Sequence, residues 1–335
     1  MMFYPRHSGR PGLQRPAATS GFTIIELLVA TAILSVVLVV VVSVIGQTSA
    51  VWRKSTDKIE AFQGARMAFD LLTRNLSQAT LNTYLDYDDP FVPTKYLRKA
   101  ELKFVSRPTS NPGTAGTGQS VFFQAPASFT SDMTRYGNLE SLLNTCGYYV
   151  EFGSDAASKP TFVSSPDKYR YRLMQLLIPT EENKVYTSTG QSWITDAGAS
   201  VQPVADNIIA LIIRPQDPGM TAPSVPGVTV PNLTSDYTYD TAQTFSGNQP
   251  LTSNQLPPVL QVTMVAIDEN SAKRVESNNS EPSAIRGALT GKFTDPARYT
   301  EDLRDLETAL TSATPPISYR IFTSAVPIRE SKWSR

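Results

Sequence analysis

From residue 27 to residue 45 the sequence reads LLVATAILSVVLVVVVSVI, nineteen consecutive residues without a charge. At 1.5 Å rise per residue, a helix of that length measures about 28 Å, close to the ~30 Å hydrocarbon core of a bilayer. No soluble core of ordinary size absorbs such a run on all faces, so it predicts a transmembrane helix over residues 22–46. One acid stands at its margin: Glu26. A carboxylate costs about 2.5–3.5 kcal/mol at the bilayer centre and less near the interface, so Glu26 calls for a partner.

The residues before the run are of another kind. Arg6, Arg10 and Arg15 are basic, and residues 1–21 contain no acid. A secretory signal places its cleavage site after the apolar segment. Here the small residue before the mature-like stretch, Gly21, precedes it, so cleavage between Gly21 and Phe22 would retain the apolar helix as an anchor. Arginines before the span predict a cytoplasmic amino terminus and a body on the far side of the membrane. Without the three leader arginines, 27 of the 30 basic residues face 30 acidic ones. That balance gives no basic footprint for nucleic acid.

The composition also excludes chemistry. The one histidine, His7, lies in the leader, and Cys146 is the one cysteine. A mature chain so composed builds neither a Ser-His-Asp or Cys-His arrangement, nor a histidine-ligated zinc site, nor an internal disulfide. No G-x-S-x-G occurs. The expectation is a chain that is not an enzyme and needs no cofactor.

The stretch GFTIIELLVA, Gly21 to Ala30, closely resembles the prepilin cleavage motif of type IV pilins and type II secretion pseudopilins. The resemblance implies that a prepilin peptidase cuts after Gly21 and methylates Phe22. It also implies an inner-membrane location before assembly. It supplies a partner for Glu26: in such filaments this acid neutralises the amino-terminal ammonium of a neighbouring pilin, a pair strengthened by low dielectric. ARMAFDLLTRNLSQA (65–79), LPPVLQVTMVAI (256–267) and YRIFTSAVPI (319–328) also resemble the J-type minor pseudopilin. The closing YRIFTSAVPIRESKWS resembles the pilin-like cassette protein C group of Verrucomicrobia. The fold this implies is α+β and pilin-like: a long amino-terminal helix packed on antiparallel sheet.

The residues support that architecture independently. No proline occurs between Phe22 and Asp89, so the anchor is expected to continue as helix over residues 47–89. Apolar positions at Ile59, Phe62, Ala65, Phe69, Leu72, Leu76 and Ala79 step by three and four, an amphipathic stripe for packing on a larger body. Residues 90–335 read as a β-rich globular domain. Its strand candidates are ELKFVS (101–106), SVFFQAP (120–126), GYYVEFG (147–153), YRYRLMQLLI (169–178), NIIALIIRP (207–215), PVLQVTMVAID (258–268) and ISYRIFTSAVPI (317–328). A helix is expected over residues 294–310, capped by Thr294 or Asp295, with Leu303, Leu306 and Leu310 as its apolar edge.

Residues 107–119 read as a flexible loop, and residues 215–258 as a disordered or loosely packed flap rather than a ligand site. GALTGKF (287–293) has glycines one residue too close for a phosphate loop and Phe293 where a hydroxyl belongs, so it reads as a turn before a helix. Asp86, Asp88 and Asp89 read as an acidic loop ending the long helix. Calcium is the second reading, since some pseudopilins bind it and clustered carboxylates suit hard cations. Two functions fit: a filament subunit assembling with other pilins through its helix, or a single-pass anchored extracytoplasmic binding protein or receptor, for which Glu26 is dispensable.

Overall fold

The computed structural model describes residues 23–109, 118–160, 162–188, 190–195, 200–219, 232–277 and 279–334. The fold is α+β, with an apolar amino-terminal helix and antiparallel sheets. It divides into two compact units, one ending at Ser55 and one beginning at Thr56.

Helix α1 (Ile24–Ser77) begins in the first unit, where Ile24–Ser49 is long and apolar enough to cross a membrane. Its 26 residues extend about 39 Å as a helix, more than the ~30 Å required. Every side chain over residues 23–49 is exposed. A valine-rich segment such as SVVLVVVVSVI has modest helix propensity in water. In hydrocarbon each backbone polar group must be satisfied internally, and that requirement selects helix. The hydroxyls of this segment are satisfied within it: Thr31 Oγ1 donates to the Leu28 carbonyl and Ser35 Oγ to the Thr31 carbonyl.

In the second unit the stripe on α1 faces the core. Ala65, Phe69, Leu72, Leu76 and Ala79 are buried and Phe62 is half-buried, while the side chain of Ile59 lies outside the described residues. Ala68 joins them. Two contacts pin the stripe: the Phe69 ring lies 5.8 Å from that of Phe322, and Asn75 Nδ2 donates to Tyr148 Oη at 2.7 Å.

The helix ends at Ser77, twelve residues short of the expected Asp89. Its last turn tightens as the N–H groups of Gln78 and Ala79 donate to the carbonyls of Asn75 and Leu76, three residues back. Thr80 N–H then donates to the Gln124 carbonyl at 2.8 Å, and the Ser77 carbonyl accepts from Arg329 N–H. The chain leaves the helix because the sheet captures it. Residues 80–89 contain no helix but a hairpin strand, β1 (Tyr84–Tyr87), paired antiparallel with β2 (Tyr96–Lys99).

The main sheet is a meander of β3 (Val105–Pro108), β4 (Gln119–Pro126), β5 (Leu143–Ser154), β6 (Tyr169–Ile178) and β7 (Ser200–Asp206). Short helical turns α2 (Met133–Tyr136) and α3 (Ser192–Thr195) lie in its connections. A second, three-stranded sheet has β8 (Ile208–Gln216) at one edge. The two-residue strand β9 (Tyr239–Asp240) returns to pair with β3, making the main sheet six-stranded in the order β7-β6-β5-β4-β3-β9. β10 (Val259–Ile267) is the centre of the smaller sheet and β11 (Tyr319–Pro327) its other edge.

Every residue of β8 is buried, because its free edge meets the main sheet. Ile213 N–H donates to Gln119 Oε1, Asn207 N–H to the Tyr171 carbonyl, and Leu211 bridges Gly118.

Between β10 and β11 the chain inserts α4 (Glu269–Val275), α5 (Ser283–Leu289) and α6 (Tyr299–Ser312). Asp295 caps a 3-10 turn, Pro296–Arg298, that leads into α6. Leu306 and Leu310 are buried and Leu303 packs half-buried beside them. Residues 287–293 form the end of α5 and a turn, with Gly291 at φ +73°.

Both predicted loops need correction. Arg107, Pro108 and Gln119 belong to β3 and β4, while residues 110–117 lie outside the described residues. Of the segment 215–258, the described part from Asn232 onward is packed rather than loose. Tyr237, Tyr239 and Leu256 are buried in the core, and Tyr239 Oη donates to the Gln255 carbonyl. Aromatic side chains at Tyr237 and Tyr239, not periodicity, hold it down.

Candidate functional site

Gly21 and Phe22 lie outside the described residues, as does His7. Glu26 sits in the first turn of α1 and is exposed. Its Oε2 accepts from the Thr23 N–H and the Thr23 hydroxyl, both at 2.9 Å, and the Glu26 N–H donates back to Thr23 Oγ1 at 3.3 Å. This is a reciprocal capping box, Thr-x-x-Glu, which satisfies amide groups that a helix start leaves orphaned. The carboxylate also lies where the helix dipole favours negative charge. Glu26 thus has a partner three residues away, and the signal for it is the Thr23–Glu26 spacing itself. Both bonds from Thr23 converge on Oε2.

The three aspartates do not end a helix. Asp86 lies in β1 and pairs with Lys99 across the hairpin, Nζ to Oδ2 at 2.7 Å. Asp88 and Asp89 fold their carboxylates onto the hairpin loop. Asp88 Oδ1 accepts from the N–H groups of Thr94 and Lys95, and its Oδ2 from the Thr94 hydroxyl. Asp89 Oδ1 accepts from the N–H groups of Phe91 and Val92. Among the described residues, no group of three or more His, Cys, Asp or Glu side chains is arranged to hold a metal ion.

Cys146, on β5, is fully buried, and burial pushes its thiol up to about 12. A thiol so held has almost no thiolate at neutral pH and is no nucleophile.

A polar cluster absent from the sequence reading lies under the turn between α4 and α5. Arg170, buried on β6, pairs with Glu276 at 3.2 Å and Glu269 at 3.5 Å. Asn207, in the left-handed region at φ +62°, donates from Nδ2 to Glu269 Oε2 at 2.7 Å. Burial pushes the Glu269 carboxyl up, but the Asn207 hydrogen bond and the Arg170 charge outweigh it and hold it below the ordinary value. Arg170 Nε and Asn207 Oδ1 are buried without a hydrogen-bond partner, and the two residues line a cavity of about 10 Å³ walled also by Phe152, Ile267 and Ile285. The cluster fastens the inserted helices to the sheet. Its members are up to 106 residues apart, from Arg170 to Glu276, so no local pattern announces it.

No protein-family model matches this chain, and no curated protein matches it.

Proposed function

We propose that the chain is a minor pilin-like or pseudopilin-like structural subunit, with no enzymatic role, that assembles with other pilins through its amino-terminal helix. The observation that carries this reading is the conjunction at the start of α1. A membrane-length, fully exposed apolar helix opens with an acid in its first turn, directly after Gly21-Phe22 and an arginine-bearing leader. On this reading a prepilin peptidase frees Phe22 at the inner membrane, the body lies outside the cytoplasm, and Thr23 becomes the second residue of the mature chain. The capping box holds Glu26 against the backbone adjoining the new amino terminus. One carboxylate oxygen serves the cap, and on this reading the other is left for the ammonium of a neighbour.

The capping box equally favours a second reading, an anchored extracytoplasmic binding protein, because it gives Glu26 a task within its own chain. Glu26→Gln separates the two. A glutamine at this position of a capping box still accepts from the helix start, so the cap survives while the charge is lost. A filament subunit should still be cleaved and inserted but lose crosslinking to partner pilins; a plain anchor should be indifferent. Mass spectrometry supplies the prior test. A mature chain that does not begin at Phe22 sinks the prepilin reading.

A further inference from the structure

We propose that the tip of the β1–β2 hairpin is a docking knob that inserts into an apolar pocket on another protein, a pocket rimmed by basic side chains. At the tip Phe91 is 92% exposed and Val92 68%, between Pro90 and Pro93. Behind them the Tyr87 and Tyr96 rings stack at 5.0 Å, with Tyr96 64% exposed. A cluster of large apolar side chains held outward on a protrusion marks an interaction site more often than a scattered exposed residue does.

The backbone of the tip is prepared for burial. Pro90 and Pro93 have no N–H, and the N–H groups of Phe91, Val92, Thr94 and Lys95 are all taken by the carboxylates of Asp89 and Asp88. Asp88 N–H donates to the Lys95 carbonyl. No amide donor from residue 88 to residue 95, save that of Asp89, is left requiring water, so enclosing the tip strands few N–H groups. The two prolines and these four bonds restrain the loop, and the hairpin is braced from behind. Gln249 exchanges two hydrogen bonds with the Arg98 backbone, and Asn254 Nδ2 donates to the same carbonyl. Such preorganisation lowers the ordering cost of association.

Charge decides the partner. The basic side chains of the hairpin turn away from the tip: Lys95 to the Gly247 carbonyl, Arg98 to the carbonyls of Pro250 and Ser253, Lys99 to Asp86. The two carboxylates left at the tip, Asp88 and Asp89, have no cationic partner among the described residues. The Thr94 hydroxyl and amide hold Asp88 far below the usual carboxylate range, so it stays anionic. Two fixed anions beside the apolar side chains oppose insertion into hydrocarbon and repulsion by acidic headgroups adds to this. They suit a protein pocket with lysine or arginine at its rim.

The test places benzoylphenylalanine at position 91 of the full-length chain in its own cells, with the same group at exposed Tyr186 as control. The expected result is a protein adduct at position 91 only, mapped to apolar residues next to Lys or Arg on the partner, and reduced about tenfold by Val92→Asp. Lipid adducts alone, yields equal to the Tyr186 control, or a partner surface without basic residues would overturn the proposal. Cleavage after Gly21 and the Glu26→Gln phenotype are read separately, so this outcome stands apart from that of the filament reading.

Discussion

Leu71 and Leu72 are adjacent on α1, yet the structure gives them opposite surroundings: Leu72 is 0% exposed against the sheets, Leu71 39%. Truncating Leu72 to alanine removes three buried carbons at a seam pinned on both sides. One turn earlier Phe69 meets Phe322, and one turn later Asn75 bonds Tyr148, whose hydroxyl also accepts from Gln175. Neighbours so fixed collapse little into a vacated space, and each Å³ of residual cavity costs about 24 cal/mol beyond the lost transfer energy. Within the range of about 2–5 kcal/mol for buried Leu→Ala, the middle applies rather than the lower end, about 3–4 kcal/mol. Leu71→Ala should cost less than about 1 kcal/mol. Urea unfolding of the detergent-solubilised chain, followed by the fluorescence of Trp193, which is 1% exposed, reads the difference. With a slope of about 3 kcal/mol/M, Leu72→Ala should lower the midpoint by about 1 M and Leu71→Ala by about a third of that or less. Equal shifts would refute the packing of α1 on the sheets.

Two further outcomes follow from local geometry. Gly118 has φ +104°, and a Cβ there would lie 2.1 Å from the Leu211 carbonyl oxygen, where the two sheets meet. Gly118→Ala should therefore destabilise by about 2–4 kcal/mol and lower the melting temperature in calorimetry. Glu181 has its carboxyl lowered from 4.5 to about 2 by its own backbone N–H and by the Ser131 hydroxyl, with further bonds from Ser131 N–H and Thr130. A lowered folded-state value means stability that is complete above pH 4.5 and lost as pH falls toward 2. Glu181→Gln should flatten the pH dependence of the melting temperature in that window and leave the slope above pH 6 unchanged.

Much of the architecture is legible in local pattern. β6 matches the predicted 169–178 to the residue, because a run of tyrosine and aliphatic side chains is bounded by Asp167 before it and Pro179 after it. β8 and β10 match within a residue or so at each end, since a strand buried along most of its length carries a dense apolar run between turn residues. The strands that escaped are short or at an edge. β9 is two residues that become a strand only by reaching β3 across more than 130 positions, and β7 holds Pro203 mid-strand. At the candidate site, Glu26 was legible as an oddity of composition, whereas its bonds to Thr23 came from the structure, although they span only three residues. The Arg170–Asn207–Glu269 cluster was not, because its unpartnered atoms exist only once three distant segments meet.

The sequence by itself determined the membrane-length apolar helix, its capped start at Thr23, the amphipathic stripe that follows, and the absence of histidine after position 7. These properties depend on composition or on neighbours three or four residues away. Tertiary structure alone decided that α1 stops at Ser77, where Gln124 takes the Thr80 amide, and that three aspartates build a hairpin rather than end a helix. Helix propensity changes by a fraction of a kcal/mol per residue at such a boundary. The hydrogen bonds and buried side chains that a nearby sheet offers outweigh it, and a sheet assembled from distant strands is invisible in any local window.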